Sequence, residues 1–459
     1  MFKKDALNLN HLFGTDGIRG TPGKYPLTPH MLARIAYGLA DYLVFNPGLR
    51  PQRKPRVIIG RDTRLSGKKI ESFLVDAFVS HSVDVYLCGA ITTPGLSVLV
   101  RKYNCSLGVM ISASHNKPTD NGIKIFNSQG QKLNSQQEKA IEEIVFNQTV
   151  PTKPKGSAKS ITLKDSHHCY VEFLASTVKG LNLKGVKICL DCAFGAASPF
   201  AREVFHRLGA TVYSIHDKPS GRHINKGGAI NPVRLQKLVI KTKADIGVAL
   251  DGDGDRGVLI AENGLILDGD YILTIMADYL KSQNLLNKDT VVTTVMSNFG
   301  LRSFLASIGV KTIITDVGDK YVLDALLRYG LNLGGEQSGH IIFKDYSFAP
   351  DGLLTSLQLL KVMKATGKKL SELAQKMRKF PQILLNIKVK EKRPFESFLT
   401  LQERLKYFNR QLENQGRILL RYSGTEPLAR VMVEGKDEDM ITSIANTLAE
   451  HIKREIGQN

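Results

Sequence analysis

Short apolar runs that alternate with stretches of helical spacing constrain this chain more than any other feature. Residues 56–60 read as a buried strand, 70–80 as a helix, 83–88 as a strand and 107–111 as another. The order returns with a strand at 186–190, a helix reaching 208 and a strand at 211–215. It returns again with strands at 291–296 and 312–315, a helix between them reaching 308, and a helix at 321–329. Alternation of this kind builds parallel or mixed α/β layers. Three such rounds in a row point to repetition at domain scale. After Pro381 the pattern changes to strands at 387–389, 417–421 and 429–433, with helices at 401–414 and 437–456. The last helix opens with acids, as its dipole prefers. The fold expected is therefore α/β: three similar mixed-sheet domains at 1–150, 165–265 and 266–376, then a smaller α+β domain at 382–459. The Pro-, Lys-, Gly- and Ser-rich stretch 149–160 reads as a linker.

A chain of 459 residues exceeds one ordinary core, and 42% apolar with 23% charged residues is a globular balance. No apolar run reaches membrane-spanning length, and Met1-Phe-Lys-Lys-Asp-Ala lacks the apolar stretch of a secretory signal. A cytoplasmic protein with no membrane partner is expected. The five cysteines are scattered and form no paired Cys-x-x-Cys sites, which fits reduced thiols rather than zinc ligands or disulfides. The net charge of +20 suits an anionic partner, but the basic residues are spread along the chain. That suits a phosphorylated small substrate better than nucleic acid.

Four loops carry the chemistry. The first, Ser112-Ala-Ser-His-Asn116, follows a buried strand and turns back through Asp120-Asn-Gly122 into a second strand at 123–126. Its small side chains let a bulky anion approach, and Lys124 on the return strand projects toward the same place. The second is Leu250-Asp-Gly-Asp-Gly-Asp-Arg256, where Asp251, Asp253 and Asp255 alternate with glycines and converge on one hard cation. Gly252-x-Gly254-x-x-Gly257 also spells a dinucleotide fingerprint, but a hairpin follows it instead of a helix. An EF-hand is excluded by Arg256 at the position that must be glycine. The third loop, Gly334-Gly-Glu-Gln-Ser-Gly-His340, offers Glu336 and Ser338 to sugar hydroxyls and His340 for orientation or proton transfer. The fourth, Arg421-Tyr-Ser-Gly-Thr-Glu-Pro427 with Arg430, combines arginines, hydroxyls and free backbone N–H groups, the parts of a phosphate nest. The stretch Gly60 to Lys68 looks like a Walker A loop, but its glycines are too far apart and no Ser or Thr follows the lysine.

With these four motifs in this order, the chain resembles the α-D-phosphohexomutase family over nearly its whole length. The resemblance implies four domains around a central cleft, each giving one loop, and a phosphoserine at Ser114. It implies one Mg²⁺ held by that phosphate with Asp251, Asp253 and Asp255, and a sugar 1,6-bisphosphate as intermediate and activator. Arg19, His115, Lys124 and Arg256 fall at catalytic positions, Lys124 as general acid/base. Glu336, Ser338 and His340 fall at sugar-reading positions, and Arg421, Ser423, Gly424, Thr425 and Arg430 at the distal phosphate site. Phe13-Gly-Thr-Asp-Gly-Ile-Arg-Gly20 and Gln337 are similar to the amino-sugar branch, which makes a phosphorylated hexosamine the expected substrate; the mannose and glucose phosphate branches are the alternative. A monomer or homodimer is expected. Lys117, Phe194, Ser220, Pro350 and Tyr422 depart from the family's usual residues and bear on loop rigidity.

Overall fold

The computed structural model describes residues 11–45, 54–147, 158–413, 415–423 and 427–458. They form two compact units, Met1–Met296 with Val310–Gln375, and Ser297–Gly309 with Lys376–Asn459.

The first unit holds three sheets. The first sheet comprises β1 (Ile18–Gly20), β2 (Arg56–Arg61), β3 (Asp84–Ala90), β4 (Leu107–Ile111), β5 (Asn121–Asn127) and β6 (Ser160–Thr162), in the order β1-β5-β4-β2-β3-β6. The second comprises β7 (Lys187–Asp191), β8 (Thr211–Ile215), β9 (Ile246–Leu250), β10 (Gly257–Ala261) and β11 (Ile266–Leu267), in the order β11-β10-β9-β7-β8. The third comprises β12 (Thr290–Thr294), β13 (Lys311–Thr315), β14 (Leu333–Gly335) and β15 (Ile341–Phe343), in the order β13-β12-β14-β15.

One plan underlies all three. In the runs β2–β5, β7–β10 and β12–β15, the first strand pairs in parallel with the second and the third, and the third turns back into an antiparallel fourth. The repetition expected from the sequence is therefore present in the pairing. Strands β4 and β9 are buried at every residue, which is why they read as unbroken apolar runs.

The first sheet is covered by helices Pro29–Phe45, Gly67–Ser80 and Ser135–Asn147, which share one apolar core with it. Helix Pro29–Phe45 is missing from the expectations, although Thr28-Pro29 starts it and Leu32, Ile35, Leu39 and Leu43 give it a buried stripe. The linker expected at 149–160 falls largely outside the described residues. Its last residue, Ser160, instead begins β6 at the sheet edge.

The second unit contains a three-stranded antiparallel sheet of β16 (Gln382–Lys388), β17 (Gly416–Tyr422) and β18 (Leu428–Gly435), in the order β16-β18-β17. Helices Leu399–Gln411 and Glu438–Ile456 accompany it. Strand β16 starts five residues before the expected 387, because its half-exposed face (Leu384 is 44% exposed) hides the apolar signal. Among the described residues, no helix is long and apolar enough to cross a membrane. The five cysteines are free and buried.

Candidate active site

The first three chemistry-bearing loops occupy one position in the common plan. Each is the turn between the third strand and its antiparallel return: 112–120 between β4 and β5, 251–256 between β9 and β10, and 336–340 between β14 and β15. Ligands of α/β sheets bind beyond the carboxyl ends of strands, and these turns are such ends.

Ser114 is buried and sits in the left-handed backbone region with φ 47°. A serine there costs backbone energy that the surroundings must supply, a recurrent property of reactive positions. The surroundings are explicit. The Ser114 N–H donates to Ser112 Oγ at 2.9 Å, and the Ser114 carbonyl accepts from Arg64 at 2.8 Å and from Asn225 Nδ2 at 2.7 Å. Arg64 is buried and spends its guanidinium on the turn. Besides Ser114 it donates to the carbonyls of Asn116 (3.0 Å), Lys117 and Asp120 (2.9 Å), and its Nε donates to Asp62 at 2.8 Å. Ser112 Oγ donates to the same Asp62 at 2.8 Å. The turn is thus held by its carbonyls, so the departure at Lys117 leaves the clamp intact.

The Ser114 hydroxyl points into the second loop and donates to Asp251 Oδ2 at 2.7 Å. Asp251, Asp253 and Asp255 are fully buried, and each places a carboxylate oxygen within 4.8 Å of the others. Burial and the other two carboxylates push Asp251 up to about 7. Glycine is required between them. A Cβ on Gly252 would stand 2.8 Å from the Ser114 carbonyl, and Gly254 has φ 71°.

Lys124 Nζ lies 2.9 Å from Asp253, 2.9 Å from Asp255 and 3.1 Å from Asp16. Although burial opposes its charge, these three carboxylates hold its ammonium well above the usual lysine range. Thr93 Oγ1 donates to Asp253 Oδ2 at 2.5 Å, yet the buried Oδ1 of Asp253 has no partner. Three converging hard oxygen donors with one buried oxygen unsatisfied fit a divalent cation such as Mg²⁺.

Arg19, on β1, donates to Asn116 Oδ1 at 3.0 Å and pairs with Asp16. His115 is held neutral, lowered to about 4 by burial and then by Arg256 and Arg19. In the third loop, His340 bridges Glu336 (2.8 Å from Nδ1) and Asp255 (3.0 Å from Nε2), and Arg256 Nε lies 3.1 Å from His340 Nε2. Glu336 also accepts from the Gly318 N–H at 2.9 Å, and Ser338 Oγ lies 3.4 Å from His340 Nδ1.

Within the first unit the structure therefore joins Arg19, Ser114, His115, Lys124, Asp251, Asp253, Asp255, Arg256, Glu336, Ser338 and His340 in one connected polar network. It also contains residues that the sequence reading missed: Asp16, Arg64, Thr93, Asn225, Lys132 and Asp319. Lys132 Nζ bridges Asp16 (2.5 Å) and Asp319 (2.7 Å). Asp62-Thr-Arg64 directly after a buried strand is the one signal that marked Arg64.

In the second unit, Arg421 on β17 and Arg430 on β18 are register partners. Burial and then Arg430 lower Arg421 below the usual arginine range, a pairing of cations that suits an anion between them. The buried Ser423 accepts at its carbonyl from Lys392 Nζ at 2.6 Å. Tyr422 stacks on Phe395 (4.4 Å, 7°) and donates to the Arg393 carbonyl at 2.6 Å, which gives this departure a structural use. Gly424 and Thr425 lie outside the described residues.

Comparison with known proteins agrees with this arrangement. The alpha/beta/alpha domains I, II and III of phosphoglucomutase/phosphomannomutase match residues 10–152, 168–264 and 268–380, and its C-terminal domain matches 384–451. The chain belongs to the phosphoglucomutase/phosphomannomutase family of enzymes, isomerases that move a phosphoryl group. Among its relatives are the phosphoglucosamine mutases of Chlamydia caviae, 44% identical over 97% of both chains, and of Thermodesulfovibrio yellowstonii, 44% identical over 95% of this chain and 98% of that one. In fold it is similar to a phosphoglucomutase/phosphomannomutase family protein from Burkholderia thailandensis (TM-score 0.79, 23% identity, 97% and 99% of the two chains). It is also similar to the N-acetylphosphoglucosamine mutase of Aspergillus fumigatus (TM-score 0.65, 16% identity, 97% and 96%).

Proposed function

We propose that this protein interconverts glucosamine 6-phosphate and glucosamine 1-phosphate, supplying amino-sugar precursors of the cell envelope, through a phosphoserine at Ser114 and a glucosamine 1,6-bisphosphate. The observation that carries the reading is the 2.7 Å contact of the Ser114 hydroxyl with the carboxylate cluster. Relatives at 44% identity supply the choice of amino sugar.

Asp251, Asp253, Asp255 and the phosphate on Ser114 would hold one Mg²⁺, which when bound neutralises charge on the transferring group. In the first half-reaction the sugar 1-hydroxyl attacks phosphorus, the bond from phosphorus to Ser114 Oγ breaks, and the hydroxyl's proton is replaced on the serine oxygen. Lys124 carries that proton: as an ammonium it gives one to Ser114 Oγ and takes one from the hydroxyl. The bisphosphate reorients and returns its 6-phosphate to Ser114. Phosphoryl transfer needs mainly positioning and charge. Arg19, Arg256 and the neutral His115 surround the reacting phosphate. Glu336, Ser338 and His340 read the sugar, and Arg421, Ser423, Gly424, Thr425 and Arg430 hold the other phosphate.

The test is a mutase assay with Mg²⁺ and a trace of sugar bisphosphate on glucosamine, glucose and mannose phosphates in parallel. Preference for glucosamine phosphate, abolished in Ser114→Ala, is the expected result. Preference for glucose or mannose phosphate overturns the substrate. Wild-type turnover in Ser114→Ala overturns the phosphoryl carrier.

A further inference from the structure

A second basic site stands in the second sheet, apart from the carboxylate cluster. An open pocket of about 410 Å³ is lined by Ile215, His216, Arg234, Lys237, Leu238 and Lys241. Arg234, Lys237 and Lys241 share one face of helix Val233–Thr242, at spacings of three and four residues. Among the described residues none of the three has an acidic partner, and residues 216–243 carry seven Lys or Arg against one Asp. Like charges gathered without counter-charges repel one another, so the pocket is stabilised by whatever anion enters it. Ile215 and Leu238 give it an apolar floor. It opens at the carboxyl end of β8, the edge of an α/β sheet where ligands bind.

The wall of this pocket is connected to the serine turn. His216 Nδ1 lies 3.0 Å from both oxygens of the buried Asp191. Asp191 accepts from the N–H groups of Ala193 and Gly228, each at 2.9 Å. The Ala193 carbonyl accepts from the Asn225 N–H at 2.9 Å, and the Asn225 side chain holds the Ser114 carbonyl. Ala193, Phe194, His216 and Asn225 all have positive φ, a concentration of backbone strain in this one connection.

We infer that the pocket formed by His216, Arg234, Lys237 and Lys241 binds a phosphate-bearing group and passes its occupancy to the Ser114 turn. The group is either a small soluble phosphorylated compound or the headgroup of an anionic lipid.

Equilibrium dialysis with labelled inorganic pyrophosphate tests the soluble source. The wild-type chain binds one equivalent more than the triple variant Arg234→Gln, Lys237→Gln, Lys241→Gln. A control with the same loss of charge at exposed positions elsewhere, Lys179→Gln, Lys184→Gln and Lys406→Gln, keeps that equivalent. Co-sedimentation with phosphatidylglycerol against phosphatidylcholine vesicles tests the lipid source, with the same variants. A loss specific to the pocket variant in either arm supports the site and names its source. Equal binding by wild type and pocket variant in both arms, or an equal loss in the control, overturns it. Pyrophosphate also alters wild-type kcat through the connection, and the pocket variant, whose basal turnover is unchanged, lacks that response. If kcat responds equally in both, the coupling is refuted.

Discussion

The guanidinium of Arg64 lies 2.8 Å from the carbonyl oxygen of Ser114, fifty residues away in the chain and one parallel strand across the sheet. Arg64 is buried, and its guanidinium is spent on Asp62 and on the carbonyls of the serine turn. It fixes the backbone of the residue proposed to carry the phosphoryl group, and it does so from within a buried ion pair with Asp62.

Arg64→Lys keeps the charge but has no planar fork with which to reach five acceptors. Turnover is expected to fall on the order of 10²-fold with little change in KM, the cost of a misplaced reacting group. Folding stability should drop by on the order of 3 kcal/mol as buried acceptors lose their donor. Steady-state kinetics beside chemical denaturation separate the two effects. A kcat that falls only with the fraction folded would sink the positioning role.

Asp253→Asn removes one anionic donor and leaves Lys124 with one carboxylate fewer. The Mg²⁺ concentration for half-maximal activity should rise by at least the roughly 10–100-fold that losing an outer partner of a metal ligand costs. A Mg²⁺ titration of activity decides it, and an unshifted curve takes Asp253 out of the metal site.

Arg421→Ala should raise KM for the phosphosugar about 10–100-fold, the value of one hydrogen bond to a charged group. The measurement is KM on the monophosphate with the fold checked by circular dichroism. An unaltered KM would remove Arg421 from phosphate binding.

Asp351 caps helix Gly352–Thr366 and accepts from Tyr170 Oη at 2.6 Å. Burial pushes its carboxyl up to about 6, above the ordinary 3.8. A raised folded value means that its contribution is fully present below the unfolded value and lost as pH rises through about 6. Wild-type thermal stability should therefore decline from about pH 4 to about pH 7 relative to Asp351→Asn. Parallel profiles in scanning calorimetry would refute this.

Much of this was legible in the sequence, for physical reasons. Buried parallel strands such as β4 and β9 leave unbroken apolar runs, and Asp251-Gly-Asp-Gly-Asp255 has no comfortable structure without a cation or basic partner. Lys124 was visible because a hairpin sets its register against Met110. Arg64 and Asn225 were not identified, because they act on backbone carbonyls, and a carbonyl is the same in every residue. Asp16, Lys132 and Asp319 were missed because their ion pairs join distant segments that no local spacing connects. Strand β16 escaped in part because half of its face stays exposed.

The three working turns share one address in three copies of a single strand plan. The serine turn, the carboxylate turn and the turn proposed to read the sugar are cassettes on a common socket, each framed by a parallel strand and its antiparallel return. The sockets are also wired together, since His340 of the third turn bonds Asp255 and Arg256 of the second. Redesigning turn 336–340 around a retained His340 is therefore the route by which the proposed sugar preference can change while the serine and carboxylate turns stay as they are.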